Sequence, residues 1–186
     1  MSKFMDSNKS KEFGILIQDL ADVYMAFCLN RIMHQEVKDR IYGDHAFIWN
    51  PILRSLEKGY LLGLARIFDK QFDRPDEPKN VISIYYFLDY KFTKHEETIS
   101  KIKKVRNKFL AHSDKETLKD LEKFIKDLKF ESDRSDIESL FNAIIEVLDE
   151  IKINFGFNKN IKNYFEQLKE DIIIKFDKFL GGFKNN

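Results

Sequence analysis

Apolar residues recur at helical spacing along most of this chain. Over residues 11–41, Ile15, Leu16, Leu20, Val23, Tyr24, Phe27 and Cys28 hold that spacing, which breaks near Gly43. Asn50-Pro51 is a capping residue followed by Pro, and predicts a second helix starting there. It runs through Ile52, Leu53, Leu56, Tyr60, Leu64, Ile67 and Phe68. Arg74-Pro75-Asp76-Glu77-Pro78 reads as a loop. Residues 81–90, with Asn80 as a cap, read as a short helix, though their β-branched and aromatic content leaves a strand open. Thr93 with Glu96 has the form of a capping box and opens a helix reaching about His112. Ser113 with Glu116 and Ser135 with Glu138 repeat that signature, announcing helices over residues 115–128 and 136–152. A last amphipathic run, residues 161–180, is expected to end at Gly181-Gly182. The pattern predicts an all-α bundle of six or seven helices in one domain spanning residues 1–186. The C-terminal helix could be a cap on that bundle or an element of assembly.

Composition agrees. Gly and Pro number only 7 and 3 in 186 residues, too few for a sandwich, barrel or propeller. The 43% hydrophobic share can build a core without disulfides or metals. Cys28 stands alone, so no intramolecular disulfide or ordinary zinc site is expected, and a reducing, cytoplasmic setting is the simplest inference. The sequence has no membrane-spanning apolar run and no apolar segment of a signal peptide in residues 1–11, so no membrane partner is expected.

The net charge of +1 provides no global field for nucleic acid or anionic membrane. Locally the balance differs. Residues 91–112 carry +5 without histidine, and residues 131–150 carry −6. These are either two helices with complementary solvated faces, or a basic helix whose surface faces phosphates.

Most catalytic constellations are missing. His34, His45 and His95 are scattered, and Asp69, Asp73 and Asp76 lack the calcium-loop pattern. There is no phosphate-binding P-loop, dinucleotide fingerprint or nucleophile elbow, so neither a metal nor another cofactor is expected. Gly59 and Gly63 lie four apart on one helical face, which predicts close approach of another helix, intra- or intermolecular. Arg66 and Asp69 are spaced to form a surface i, i+3 pair, with a supporting role for Arg66 in a site as the alternative.

The informative segment is Lys104-Val105-Arg106-Asn107-Lys108-Phe109-Leu110-Ala111-His112-Ser113-Asp114. On a helix, Arg106 and His112 fall on or beside the stripe formed by Ile102, Val105 and Phe109, whereas Lys104 and Lys108 point away. A fixed cation on the buried side is costly unless it is paired or faces a polar cleft. One solution pairs Arg106 with a carboxylate of the acidic helix and leaves His112 merely to end its own helix.

At these residues the sequence resembles the HEPN superfamily (higher eukaryotes and prokaryotes nucleotide-binding). Its mark is an Arg, usually followed by a polar residue such as Asn, then a His four to six intervening positions later. Arg106, Asn107 and His112 fit that spacing, and the string Arg-Asn-Lys-Phe-Leu-Ala-His-Ser-Asp is similar to the abortive-infection U-type subgroup. The resemblance implies a helical bundle that dimerises and brings two motifs together. It also implies a metal-independent endoribonuclease of phage defence or a toxin–antitoxin system, with a cognate antitoxin as a further partner. One branch of the family carries, two positions after the His, a Tyr that a partner nucleotidyltransferase modifies. Asp114 stands there instead, which argues against that route of neutralisation.

In the chemistry so implied, His112 is the general acid or base and Arg106 stabilises the phosphoryl oxygens. Asn107 and Asp114 are supporting residues that fix the phosphate or the imidazole, and Lys103, Lys104 and Arg66 contact the RNA. The rival expectation is a non-catalytic HEPN-like module that binds RNA or a protein.

Overall fold

The structure, a computed structural model, describes residues 7–36, 46–69, 82–88, 90–111 and 134–184. Within these residues the chain is all-α, with no strand. Helix α1 spans Ser7–Glu36 and α2 spans Ala46–Ile67. A single turn, α3, covers Ile84–Phe87, and α4 runs Glu96–Ala111 after a 3-10 turn at Thr93–His95. Helix α5 is Arg134–Ile151, and α6 is Ile161–Lys184 after a second 3-10 turn at Lys152–Phe155. The expected helix over residues 115–128, with its Ser113–Glu116 box, lies outside the described residues, as does the loop around Pro75 and Pro78. None of the described helices is long and apolar enough to cross a membrane.

Helix α1 is the central strut, packed against α2 along one side and α6 along another; α4 packs on α2, and α5 on α6 and α4. The apolar stripes read from the sequence supply the core: Phe13, Leu16, Leu20 and Phe27 from α1, Tyr60, Leu61, Leu64 and Phe68 from α2, and Ile137, Phe141 and Ile144 from α5. Rings interlock at the α1–α5–α6 junction, where Tyr24 meets Phe141 at 5.2 Å and Phe165 at 5.4 Å between centroids.

Several boundaries differ from the sequence expectation. Helix α2 begins at Ala46, so Pro51 lies within it rather than at its first position. Pro51 lacks the N–H that would reach the Phe47 carbonyl, a loss confined to the first turns of the helix, where Phe47 is 74% exposed. Thr93 belongs to a 3-10 turn that follows Phe92, and α4 itself starts at Glu96. The third apparent capping box is not one: Ser135 is already inside α5, and Glu138 reaches across to α1 and α6 instead. Segment 82–88 divides the two readings, with extended residues Ser83 and Leu88 flanking one helical turn. Helix α6 continues through Gly181-Gly182 to Lys184; each glycine there costs about 1 kcal/mol relative to Ala, which does not end a helix anchored upstream.

The start of α6 is set by residues the sequence pattern did not single out. Gly156 adopts a left-handed conformation with φ 68°, which turns the chain out of the 3-10 turn. Asn160 Oδ1 then accepts the Asn163 N–H at 2.8 Å, and Asp149 Oδ1 accepts the Ile161 N–H at 2.7 Å.

Gly63 lies against α1. A Cβ there would overlap the Val23 side chain, so close helix approach is realised at this glycine and within the chain. Among the described residues nothing lies within 4 Å of the Cβ position at Gly59, so within the chain the contact falls at Gly63.

Candidate functional site

Two apolar contacts bring the relevant elements together. Phe68, fully buried at the end of α2, meets Phe92 just before α4 at 5.3 Å and Tyr85 of α3 at 6.1 Å. Burying a ring of this size stabilises by roughly 1.5–3 kcal/mol. The same contacts fix the end of α2, and hence Asp69, beside α4.

Helix α4 turns Ile99, Ile102 and Val105 into the core. Arg106 follows at the edge of that stripe, with its side chain 22% exposed, while Lys104 and Asn107 face outward. The buried-side position anticipated for the guanidinium is therefore observed, and so is its compensation. Nη1 donates to the Asp69 carboxylate, and Nε and Nη2 donate to Asn107 Oδ1 at 3.2 and 3.1 Å. The remaining N–H groups of the guanidinium have no partner among the described residues.

This arrangement corrects two pairings. Arg106 does not take its carboxylate from the acidic helix, and Arg66 does not pair with Asp69. Arg66 instead donates to Asp19 of α1, which occupies it away from Arg106. The physical reason is reach. Asp69 follows the last turn of α2 and abuts α4, whereas Arg66, one turn earlier, lies on the exposed side facing α1.

The acidic helix serves other neighbours. Glu138 accepts from Arg31 of α1 and, at 3.3 Å, from Lys169 of α6. Partial burial would raise the Glu138 pKa, but these two cations hold it below the ordinary carboxylate range. Asp149 is likewise held low: burial acts against the charge, and Lys152 with the α6 backbone N–H groups outweighs it. Complementary pairing between the acidic and basic helices is thus not what the described residues of α5 do. On α4, Lys101 pairs with Glu97 one turn before it at 2.6 Å and holds that exposed carboxyl low.

The outer face of α4 lines a cleft of about 560 Å³. Glu96, Ser100, Lys103, Lys104 and Asn107 form one wall, at the spacing of a single helical face. Tyr85, Tyr90, Lys91 and Phe92 form the other. Lys103 Nζ lies 5.9 Å from the centre of the Tyr85 ring, a cation–π distance. Burial, then the nearby Glu96 charge, raises the Tyr85 pKa and keeps its hydroxyl protonated.

Of the site residues expected from sequence, the structure brings Arg106, Asn107, Lys103 and Lys104 together on α4, and Arg66 is not among the described residues lining the cleft. His112 and Asp114 lie outside the described residues. Sequence reasoning missed Asp69 as the partner of Arg106, although a buried-side cation required some carboxylate. It also missed Tyr85, Tyr90 and Phe92, whose signal is an aromatic run placed just before a basic helix. Among the described residues no three His, Cys, Asp or Glu side chains group as a metal site.

A family model described as AbiU2, of HEPN type, matches residues 43–176, most of the chain and all of the Arg106–His112 motif. No curated protein and no solved structure matches the chain.

Proposed function

The chain belongs to the AbiU2 family of abortive-infection HEPN proteins, and from that premise we propose that it is a metal-independent endoribonuclease acting as a cytoplasmic defence effector or toxin. The observation that carries this reading is the setting of Arg106. A permanent cation is held about three-quarters buried by Asp69 and Asn107 beside a lysine-lined cleft, six positions before a histidine.

Cleavage of this kind uses the RNA 2′-hydroxyl as nucleophile, so the protein need supply only proton transfer and charge stabilisation. A neutral His112 takes the 2′-hydroxyl proton, since imidazole alone among local groups titrates near neutrality. The 2′-oxygen attacks the adjacent phosphorus, and the bond to the 5′-oxygen breaks. An imidazolium protonates that leaving oxygen, giving a 2′,3′-cyclic phosphate and a 5′-hydroxyl. Base and acid are needed in the same step, so two copies of the chain each contribute one His112 across a dimer. Arg106 faces the phosphoryl oxygens as their charge grows, and Asp69 and Asn107 keep the guanidinium aimed. Asp114 orients the imidazole. DNA, lacking the 2′-hydroxyl, is not cut by this route. A toxin of this type would need a cognate antitoxin as its partner.

The test is cleavage of end-labelled cellular RNA in EDTA by the wild type, His112→Ala and Arg106→Ala at matched folding. Loss of one proton-transfer group or one charge-stabilising donor is expected to slow cutting at least about 100-fold. Products with 3′-hydroxyl ends, or strict magnesium dependence, would overturn the mechanism.

One observation favours a second reading. The Arg106–Asp69 pair also serves to tie α4 to α2, as a non-catalytic RNA- or protein-binding module would require. In that case none of the three proteins cuts RNA, and Arg106→Ala weakens binding where His112→Ala does not.

A further inference from the structure

The cleft beside Arg106 has a composition that the cleavage chemistry does not use. Proton transfer and phosphoryl stabilisation call for His112 and Arg106; they do not call for Tyr85, Tyr90 and Phe92 opposite a row of lysines. Tyr90 lines the cleft and is 47% exposed, with its ring in edge-on contact with Phe92 at 4.9 Å. The cleft volume falls within the range of about 300–1,000 Å³ typical of small-molecule sites, enough for a nucleoside. Lysines flank it on both sides, Lys91 on one and Lys103 and Lys104 on the other, and among the described lining residues Glu96 is the one carboxylate. Asn107 belongs both to the cleft wall and to the bonds that hold Arg106. A group seated here is therefore next to the cation assigned to the phosphate.

We propose that this cleft is a subsite for one unpaired nucleobase of single-stranded RNA, which stacks against Tyr90 while the adjoining phosphates lie along Lys103 and Lys104. The inference rests on the ribonuclease reading for the identity of the polymer. An aromatic wall recognises the face of a base, which a duplex hides in its stack and a single strand exposes. The flanking cations supply the sequence-independent backbone attraction. The cleft would thus direct the enzyme to unpaired RNA and fix the distance between the bound base and the cleaved bond.

The test uses the full-length protein and a single-stranded 2′-O-methyl oligonucleotide, which cannot be cut, carrying one 2-aminopurine. Stacking on tyrosine quenches that base, so quenching on binding is expected at one position of the strand. Tyr90→Ala should weaken binding about tenfold and abolish the quench, whereas Tyr90→Phe should preserve both. Lys104→Ala should lower the salt dependence of binding by about one phosphate contact. Equal affinity for the same sequence as a duplex would overturn the proposal, as would unchanged quenching in Tyr90→Ala. Failure to bind the oligonucleotide at all would also overturn it and leave the cleft to a protein segment. RNA cleavage is scored separately on unmodified RNA. Quenching without cleavage therefore sinks the nuclease reading alone, and cleavage with Tyr90 irrelevant sinks the subsite alone.

Discussion

Arg106 and Asp69, 37 residues apart in the chain, form an ion pair that joins the end of α2 to the outer edge of α4. Each side chain is about three-quarters buried, at 22% and 25% exposure, so the pair is neither a screened surface contact nor a fully desolvated one. Its worth should lie between those cases, and a double-mutant cycle measures it. Asp69→Ala is expected to destabilise the protein by about 1–2 kcal/mol, chiefly by leaving a mostly buried guanidinium without its anion. Removing Arg106 as well should recover part of that loss. Urea unfolding of the two single variants and the double variant gives the coupling, and a value near zero would show that the pair does not tie the helices together.

The contact between Gly63 and Val23 makes opposite predictions for two glycines on one helix. A Cβ at Gly63 would run into the Cγ atoms of Val23, a β-branched side chain with little rotamer freedom. Gly63→Ala is therefore expected to destabilise by about 1–3 kcal/mol, as overpacking does. At Gly59 the Cβ position is open, and Gly59→Ala should stabilise by roughly 0.5–1 kcal/mol through helix propensity and reduced freedom of the unfolded chain. Thermal unfolding of both variants checks the contrast. Adding Val23→Ala to Gly63→Ala should restore much of the loss, and a failure to do so would place the strain elsewhere.

Glu138 makes the fold sensitive to acid in a defined direction. Its carboxylate accepts from Arg31 and Lys169, and its pKa in the folded protein lies below the ordinary value of 4.5. Its contribution to stability is then fully present above pH 4.5 and is lost as pH falls through the lowered folded value, because the unfolded chain takes up the proton first. Urea midpoints measured from pH 7 downward should fall more steeply below pH 4.5 for the wild type than for Glu138→Gln. Parallel curves would mean that the carboxylate charge does not join α1, α5 and α6.

How far the sequence could be read depended on the range of the interaction involved. The apolar stripes of α1, α2, α5 and α6 were legible because a periodicity of 3.6 residues is local, and a residue such as Phe141 or Leu64 is buried wherever its helix packs. The buried-side position of Arg106 was legible for the same reason. Boundaries were less so. Ser135 and Glu138 carry a local capping signature, yet two cations from distant helices hold Glu138 more strongly than a single backbone N–H would.

By itself, then, the sequence determined an all-α chain, the amphipathic faces of its helices, and a family motif of Arg106, Asn107 and His112 on and after a basic helix. Only the tertiary structure decided that Asp69 rather than the acidic helix meets Arg106, that Gly63 rather than Gly59 lies against α1, and that Tyr85 and Tyr90 share a cleft with Lys103 and Lys104. Periodicity fixes which side of a helix is apolar, whereas a side-chain partner depends on how helices cross, and that geometry is set by the joint packing of Phe68, Phe92 and their neighbours.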